Sequence, residues 1–276
     1  MTIKDKILRI FEGNPTYEKL RLQYWKIRNK KQQNRIIKET EDRRQGKADE
    51  KYTKIRSFKD LYNGKRCFII ATGPSLTYDD LNKLKNEITF SMNSIIKTFD
   101  KTDWRPTFYG IQDRDVFGAM EELIKSTLSE NVFVADILER YYDLPDSFIR
   151  FPYDGEYHLY NGKLGVPNAK FSNDAYSIVY DGYSITYSLI EIAVYMGFKE
   201  IYLLGCDCSY PKGKKNHFVE SGFIDKNASS NPVRMRTAFA CANDYAKANN
   251  IKIYNATRGG ELETFPRVNL DDILKG

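Results

Sequence analysis

From Lys65 onward, short apolar runs alternate with amphipathic stretches, the pattern of strands alternating with helices around a parallel sheet. The runs predict strands at 67–71, 88–92, 107–111, 131–135, 201–205 and 251–254. Apolar residues spaced three and four apart predict helices near 78–84, 116–128, 184–196 and 234–248. Residues 4–45 have another texture, rich in Lys, Arg, Gln and Glu. Their irregular apolar stripe includes Ile7, Leu8, Ile10, Phe11, Leu20, Leu22, Tyr24, Trp25 and Ile27, and predicts helices interrupted near Gly13-Asn14-Pro15. The stretch 45–54 reads as a linker. Residues 146–180, full of Tyr, Gly, Asn and Pro, show no strong period and predict a long, partly ordered segment beside a site. The expected fold class is therefore α/β: a Rossmann-like, mostly parallel sheet flanked by helices, with an N-terminal basic helical extension. The corresponding domains are a basic helical arm over 1–57 and a Rossmann-like domain over 58–276.

Composition agrees with a folded chain, since 276 residues that are 41% hydrophobic and 14% aromatic suffice for a core. The net charge of +6 is local, because cations crowd the first 66 residues, among them Arg21, Lys26, Lys30, Arg35 and Arg44. Two readings of that arm stand open: a solvated helix packing on the main domain or on a second subunit, making a homo-oligomer, or a basic helix resting on anionic lipid. Nucleic acid is not an expected partner, because the arm lacks the aromatic platform on which single strands stack. No apolar run nears the roughly 20 residues needed to span a bilayer, and the N-terminus lacks the apolar core of a signal peptide. The expected location is cytoplasmic, with peripheral contact at the inner face of the membrane if the arm rests on lipid. Cys67, Cys206, Cys208 and Cys241 show no disulfide spacing, and no further Cys or His pair completes a zinc set around Cys206 and Cys208. They read as inert thiols, and no metal site is expected.

The chemistry gathers at strand ends. Phe68-Ile69-Ile70-Ala71 reads as a buried strand, and Thr72-Gly73-Pro74-Ser75-Leu76 turns the chain before a helix. Gly73 permits close backbone approach, Pro74 fixes the turn, Ser75 offers a hydroxyl, and helix amides favour an anion. The bland alternative is an ordinary strand-to-helix turn; the loop has neither the P-loop lysine nor the three glycines of a dinucleotide fingerprint. Polar residues also follow the other strands: Asn93; Gln112 and Asp113; Asp207, Ser209 and Tyr210; Thr257 and Arg258. In open α/β sheets ligands bind outside the carboxyl ends of the strands, so these residues outline a crevice.

Residues 67–76, Ser91-Met92-Asn93, Tyr183-Ser184-Ile185-Thr186, and the run from Gly197-Phe198-Lys199-Glu200-Ile201-Tyr202-Leu203 to Gly205-Cys206-Asp207 resemble the bacterial Campylobacter-type sialyltransferases. The same framework is similar to the central domain of motility-associated flagellin glycosyltransferases and to the 6-hydroxymethylpterin diphosphokinase-like (MptE-like) family. The resemblance covers roughly 64–257 and leaves out the arm. It implies that the loop from Gly73 to Ser75 holds nucleotide phosphate or ribose and that Asn93, Ser184 and Thr186 contact the donor. Asp207 matches an acidic residue after the strand and is, with His217, a candidate catalytic residue, while Thr72 stands where those enzymes carry asparagine.

Inverting glycosyl transfer needs a base for the acceptor hydroxyl, and His217 is the candidate, in a loose match to the family histidine. His158, between Tyr157 and Leu159, suits packing or acceptor contact. Asp113-Arg114-Asp115 has a spacing that sugar-nucleotide transferases use to hold a divalent metal, although a solvated acidic pair is the commoner meaning. Tyr210, Tyr183 and Arg258 are candidates to steady phosphate or a donor carboxylate. The expected function is transfer of an acidic, sialic-type sugar from a CMP-activated donor to a glycan or protein acceptor, with no required cofactor. The alternatives are an ATP-using diphosphokinase of the pterin type, which needs magnesium, and a non-catalytic nucleotide-sugar-binding assembly subunit.

Overall fold

A computed structural model describes residues 14–47, 50–209, 216–222 and 231–275. Its centre is a parallel sheet in the order β5-β4-β3-β2-β1-β8-β9. The strands are β1 Arg66–Ile70, β2 Thr89–Met92, β3 Phe108–Ile111, β4 Val132–Ala135, β5 Ile149–Phe151, β8 Glu200–Leu204 and β9 Lys252–Asn255. A separate pair joins β6 Tyr153–Asp154 to β7 Val179–Tyr180.

β1 lies centrally because it can be buried on both faces, and Cys67, Phe68, Ile69 and Ile70 have no exposed surface. Cys67 and Ile69 join one core layer with Leu189, Ile192 and Phe239; Phe68 and Ile70 join the other with Leu81, Trp104 and Ile124. The long helices are α1 Pro15–Arg44, α5 Ile185–Tyr195 and α6 Asn231–Ala248; α2 Tyr78–Lys83, α3 Arg114–Gly118 and α4 Glu121–Thr127 are short. α2 opens with a reciprocal capping box in which Thr77 and Asp80 satisfy each other's backbone N–H. The chain winds outward from β1 to β5 and then returns to place β8 on β1's other side, so the order reverses between β1 and β8.

The parallel α/β class read from the sequence is the observed fold, and the six anticipated strands lie within a residue or two of their expected positions. Three local expectations need correction. The 45–54 stretch is not a plain linker, because Glu50–Tyr52 is a 3-10 turn and Thr53–Arg56 a helical turn, with Tyr52 and Ile55 buried. Tyr52 donates its hydroxyl to Asp136 at 2.6 Å, fastening this segment to the end of β4. The 146–180 stretch supplies β5 to the sheet edge, and three residues are too few to show a period. The helix expected over 116–128 is two helices, α3 and α4, joined at Ala119 and Met120.

α1 begins at Pro15, where the Asn14 side chain accepts from Thr16 and Tyr17 N–H. Apolar residues 7–11 of the anticipated stripe lie outside the described residues. The C-terminal half of α1 docks on the domain through Ile36, Thr40 and Arg43, all buried, and Arg43 donates to the Ser177 carbonyl at 2.6 Å.

Candidate functional site

A crevice of about 630 Å³ opens along the carboxyl ends of β8, β1, β2 and β3. Those four strands span three intervals, roughly 14 Å at about 4.8 Å each, enough for an extended ligand rather than a single ion. At its β1–β8 end the backbone keeps pairing beyond the sheet: Ala71 N–H donates to Leu204 O at 2.8 Å and Gly73 N–H to Gly205 O at 2.9 Å. The Asp207 carboxylate reaches across and accepts from the Ser75 hydroxyl at 2.8 Å and the Ser75 N–H at 3.4 Å. Gly260 packs so closely on the Asp207 backbone that a β-carbon there would lie 2.6 Å from Asp207 O. Asp207 is thus clasped between two glycine-bearing loops and fixes the Gly73 turn.

Asn93 follows β2 in the left-handed conformation, φ 48°. Its backbone carbonyl accepts the Tyr109 hydroxyl at 2.7 Å, which holds the residue in place. Its side-chain Oδ1 is buried at the crevice with no hydrogen-bond partner among the described residues. Such an atom is costly unless a ligand or solvent supplies a donor. Asn216 Oδ1, on the facing segment, is in the same condition.

That segment, 216–222, crosses the ends of β1 and β2. Phe218 N–H donates to Thr72 O at 2.7 Å, Ser94 donates its hydroxyl to Val219 O, and Lys97 donates to Ser221 O at 2.8 Å. His217 lines the crevice from there. Opposite, the first turn of α5 contributes Ser184 and Thr186. The Ser184 hydroxyl caps Thr186 N–H at 3.2 Å, and the Thr186 hydroxyl turns inward to Met92 Sδ at 3.3 Å. Both line the crevice with oxygens already engaged.

At the β3 end the wall is acidic and aromatic. Gln112 is spent on protein contacts, donating to Asp181 Oδ1 at 3.1 Å and accepting from Ser188 at 2.7 Å. Asp181 also accepts from Tyr183 N–H at 2.9 Å, and its Oδ2 lies 3.4 Å from His158 Nε2. His158 stacks on Tyr183 with ring centroids 4.0 Å apart, so it braces the wall from behind. Asp181 was not singled out by the sequence reading; its only signal is an Asp-Gly turn just before the Ser184 cap.

The crevice thus brings together Thr72, Gly73, Asn93, Gln112, Asp113, Ser184, Thr186, Asp207 and His217. Pro74 and Ser75 stand behind it, Ser75 acting through Asp207. Tyr210 lies outside the described residues. Arg258 needs correction: its guanidinium clamps Asp80 at 2.7 and 2.5 Å and donates to Ser75 O at 3.0 Å, so it supports the back of the loop and borders a separate groove of about 370 Å³. Burial opposes ionisation of Asp80, yet hydrogen bonds from Arg258 and Thr77 outweigh it and hold the carboxyl below its usual value.

The Asp113-Arg114-Asp115 spacing is also used locally. Asp113 Oδ1 caps α3 by accepting from Asp115 and Val116 N–H at 2.9 and 2.8 Å, while Asp115 pairs with Arg114 at 2.7 Å. Among the described residues no three His, Cys, Asp or Glu side chains converge as ligands for a metal ion. Among those residues the acidic groups do not form a preassembled magnesium cage. Burial pushes the thiol of Cys208 up to about 12 and that of Cys206 well above its usual value, so neither is a ready thiolate.

Fold and crevice define the class: a doubly wound α/β domain whose crevice lies where strand order reverses, the usual ligand position in such sheets. The family model described as 6-hydroxymethylpterin diphosphokinase MptE-like matches residues 45–213, more than half of the chain. The chain belongs to this MptE-like family. Among solved structures it is similar to the MAf glycosyltransferase from Magnetospirillum magneticum AMB-1, at 13% identity and a TM-score of 0.46. That likeness covers 79% of this chain and 38% of the other, so this chain spans well under half of that protein's length. Comparison with curated proteins gives no match.

Proposed function

We propose that the protein is a glycosyltransferase using a nucleotide-activated sugar, with a CMP-linked acidic sugar as donor and a surface glycan or protein as acceptor. The observation that carries this reading is the buried, unpartnered Asn93 Oδ1 beside the Gly73 turn. A lone acceptor atom at that depth calls for a neutral donor group such as a base amine or a sugar hydroxyl. The nucleotide sits against the Gly73 turn at the β1–β8 reversal, and the sugar extends toward β3. Asp181, with the tyrosine rings of Tyr153 and Tyr183, suits a hydroxyl-rich acceptor.

In the transfer, the bond from the anomeric carbon to the phosphate oxygen breaks as the acceptor oxygen bonds to that carbon from the opposite face. The acceptor proton passes to His217, and CMP leaves with the bonding electron pair. Asp207 contributes by holding the Gly73 turn and touches no reacting atom in this scheme.

The family description supports a second reading, pyrophosphoryl transfer from ATP. Magnesium would then neutralise the phosphates, with Asp113, Asp115 and Asp207 as the nearby carboxylates, each of which would have to give up its present partners.

A single panel separates the readings: CMP-, UDP- and GDP-sugars and ATP, each with and without magnesium, with released nucleotide measured. CMP release that depends on an acceptor is expected, and His217→Ala should lower it by about 100-fold or more while CMP still binds. Conversion of ATP to AMP with no CMP-sugar turnover would replace the first reading by the second.

A further inference from the structure

We infer that α1 is a docking surface for an anionic lipid bilayer, independently of which transfer the crevice performs. Between Lys19 and Lys38 eight residues are Lys or Arg and none is Asp or Glu, although the whole chain carries only +6. The helix therefore presents an unbroken cationic stretch to solvent.

The helix has a buried face and an exposed apolar line opposite it, with Ile37, also exposed, between the two. At about 100° per residue, Ile36, Thr40 and Arg43 fall on one side, and these are the residues buried against the domain. Leu20, Tyr24 and Ile27 fall within an arc of about 60° on the opposite side, and they are 61%, 57% and 68% exposed. Exposed apolar side chains scattered singly need no explanation, but three in line, turned away from the body of the protein, do. Lys31 and Lys38, both exposed, continue the same line.

The charge pattern chooses the occupant. A second copy of this face would set cations against cations. A nucleic acid would press phosphates on Leu20 and Ile27 and offer them nothing apolar. An anionic membrane surface satisfies both halves, because the apolar side chains enter the headgroup–acyl boundary while Lys and Arg stay at phosphate level. Tyr24 has the amphipathic ring favoured at that depth. The helix lies along the surface; among the described residues no helix is long and apolar enough to cross a membrane.

The test uses the full chain and vesicles of phosphatidylcholine, with or without about 30 mol% phosphatidylglycerol, read by co-sedimentation. Partitioning onto the anionic vesicles should exceed that onto neutral ones by about tenfold or more, and should largely vanish at about 0.5 M salt. The double variant Leu20→Glu/Ile27→Glu should lose about tenfold or more of the vesicle binding while keeping the wild-type circular dichroism and melting temperature, since both side chains are solvent-exposed. Equal binding to the two vesicle types, binding to neither, or a variant within about twofold of wild type overturns the inference. So does a dimer in solution that the double variant dissociates, or tighter binding to duplex DNA than to vesicles.

Discussion

A β-carbon on Gly73 would fall 2.0 Å from Asp207 Oδ2, the oxygen that accepts the Ser75 hydroxyl, and 2.4 Å from the Gly205 carbonyl. Neither neighbour is a flexible side-chain end, because Gly205 O is backbone and Asp207 is held at both its carboxylate and its main chain. Gly73→Ala should therefore displace the turn, costing about 2–3 kcal/mol of stability and at least about tenfold in CMP affinity. Urea unfolding and calorimetric titration measure the two effects. Unchanged CMP binding would remove the turn from the nucleotide site.

Asn93→Ala isolates the unpartnered oxygen. With no protein hydrogen bond to lose at Oδ1, the free protein should change by less than about 1 kcal/mol, the residual cost being alanine's poorer fit to φ 48°. Ligand affinity should fall about tenfold or more, as expected for a buried hydrogen bond. Melting curves with and without CMP give both numbers; a loss of stability with full affinity would make Asn93 a purely structural residue.

Asp80 ties α2 to the loop through Arg258 and Thr77, and its carboxyl is held below the usual 3.8 despite burial. A depressed carboxyl stabilises the fold above the unfolded-state value and loses that contribution as pH falls through the lower folded-state value. Asp80→Asn should lose about 1–3 kcal/mol at pH 7, the scale of a cap and a partly exposed ion pair. The gap between variant and wild type should close below about pH 3, as urea midpoints at the two pH values will show.

Glu191 has the opposite sign. Burial raises its carboxyl well above the usual 4.5, although the N–H groups of Ser172 and Tyr180 donate to it and pull the other way. The unfolded chain releases this proton first, so the contribution is full below 4.5 and declines as pH rises toward the raised folded value. Glu191→Gln should flatten that decline by up to about 1.4 kcal/mol per pH unit. Parallel denaturation series from pH 4.5 upward measure the difference between the two proteins, which cancels the similar behaviour of Asp136 and Asp154.

The parts of the site readable in one dimension share a cause. β1 and β8 are apolar over almost their whole length, and Ser184 stands just ahead of a long apolar helix, so strand ends and a helix start could be located from neighbours alone. Thr72, Gly73 and Asn93 follow strands directly and inherit their place from them. Arg258 also follows a strand, yet its partner Asp80 is 178 positions away, and that pairing turns it behind the loop instead of into the crevice. Asp181 fails in the other direction: it follows a two-residue strand too short to register, and its long-range partners Gln112 and His158, 69 and 23 positions away, place its carboxylate in the wall.

By itself the sequence determined the parallel sheet, the turn after β1 and the cationic arm, because burial, turn chemistry and charge are properties of short stretches. The tertiary structure alone decided what each carboxylate holds: Asp113 caps a helix, Asp207 holds a turn, and Asp181 in the crevice wall accepts from Gln112 and Tyr183 N–H with His158 behind it. A carboxylate's role depends on the donors around it, and here those donors arrive from distant parts of the chain.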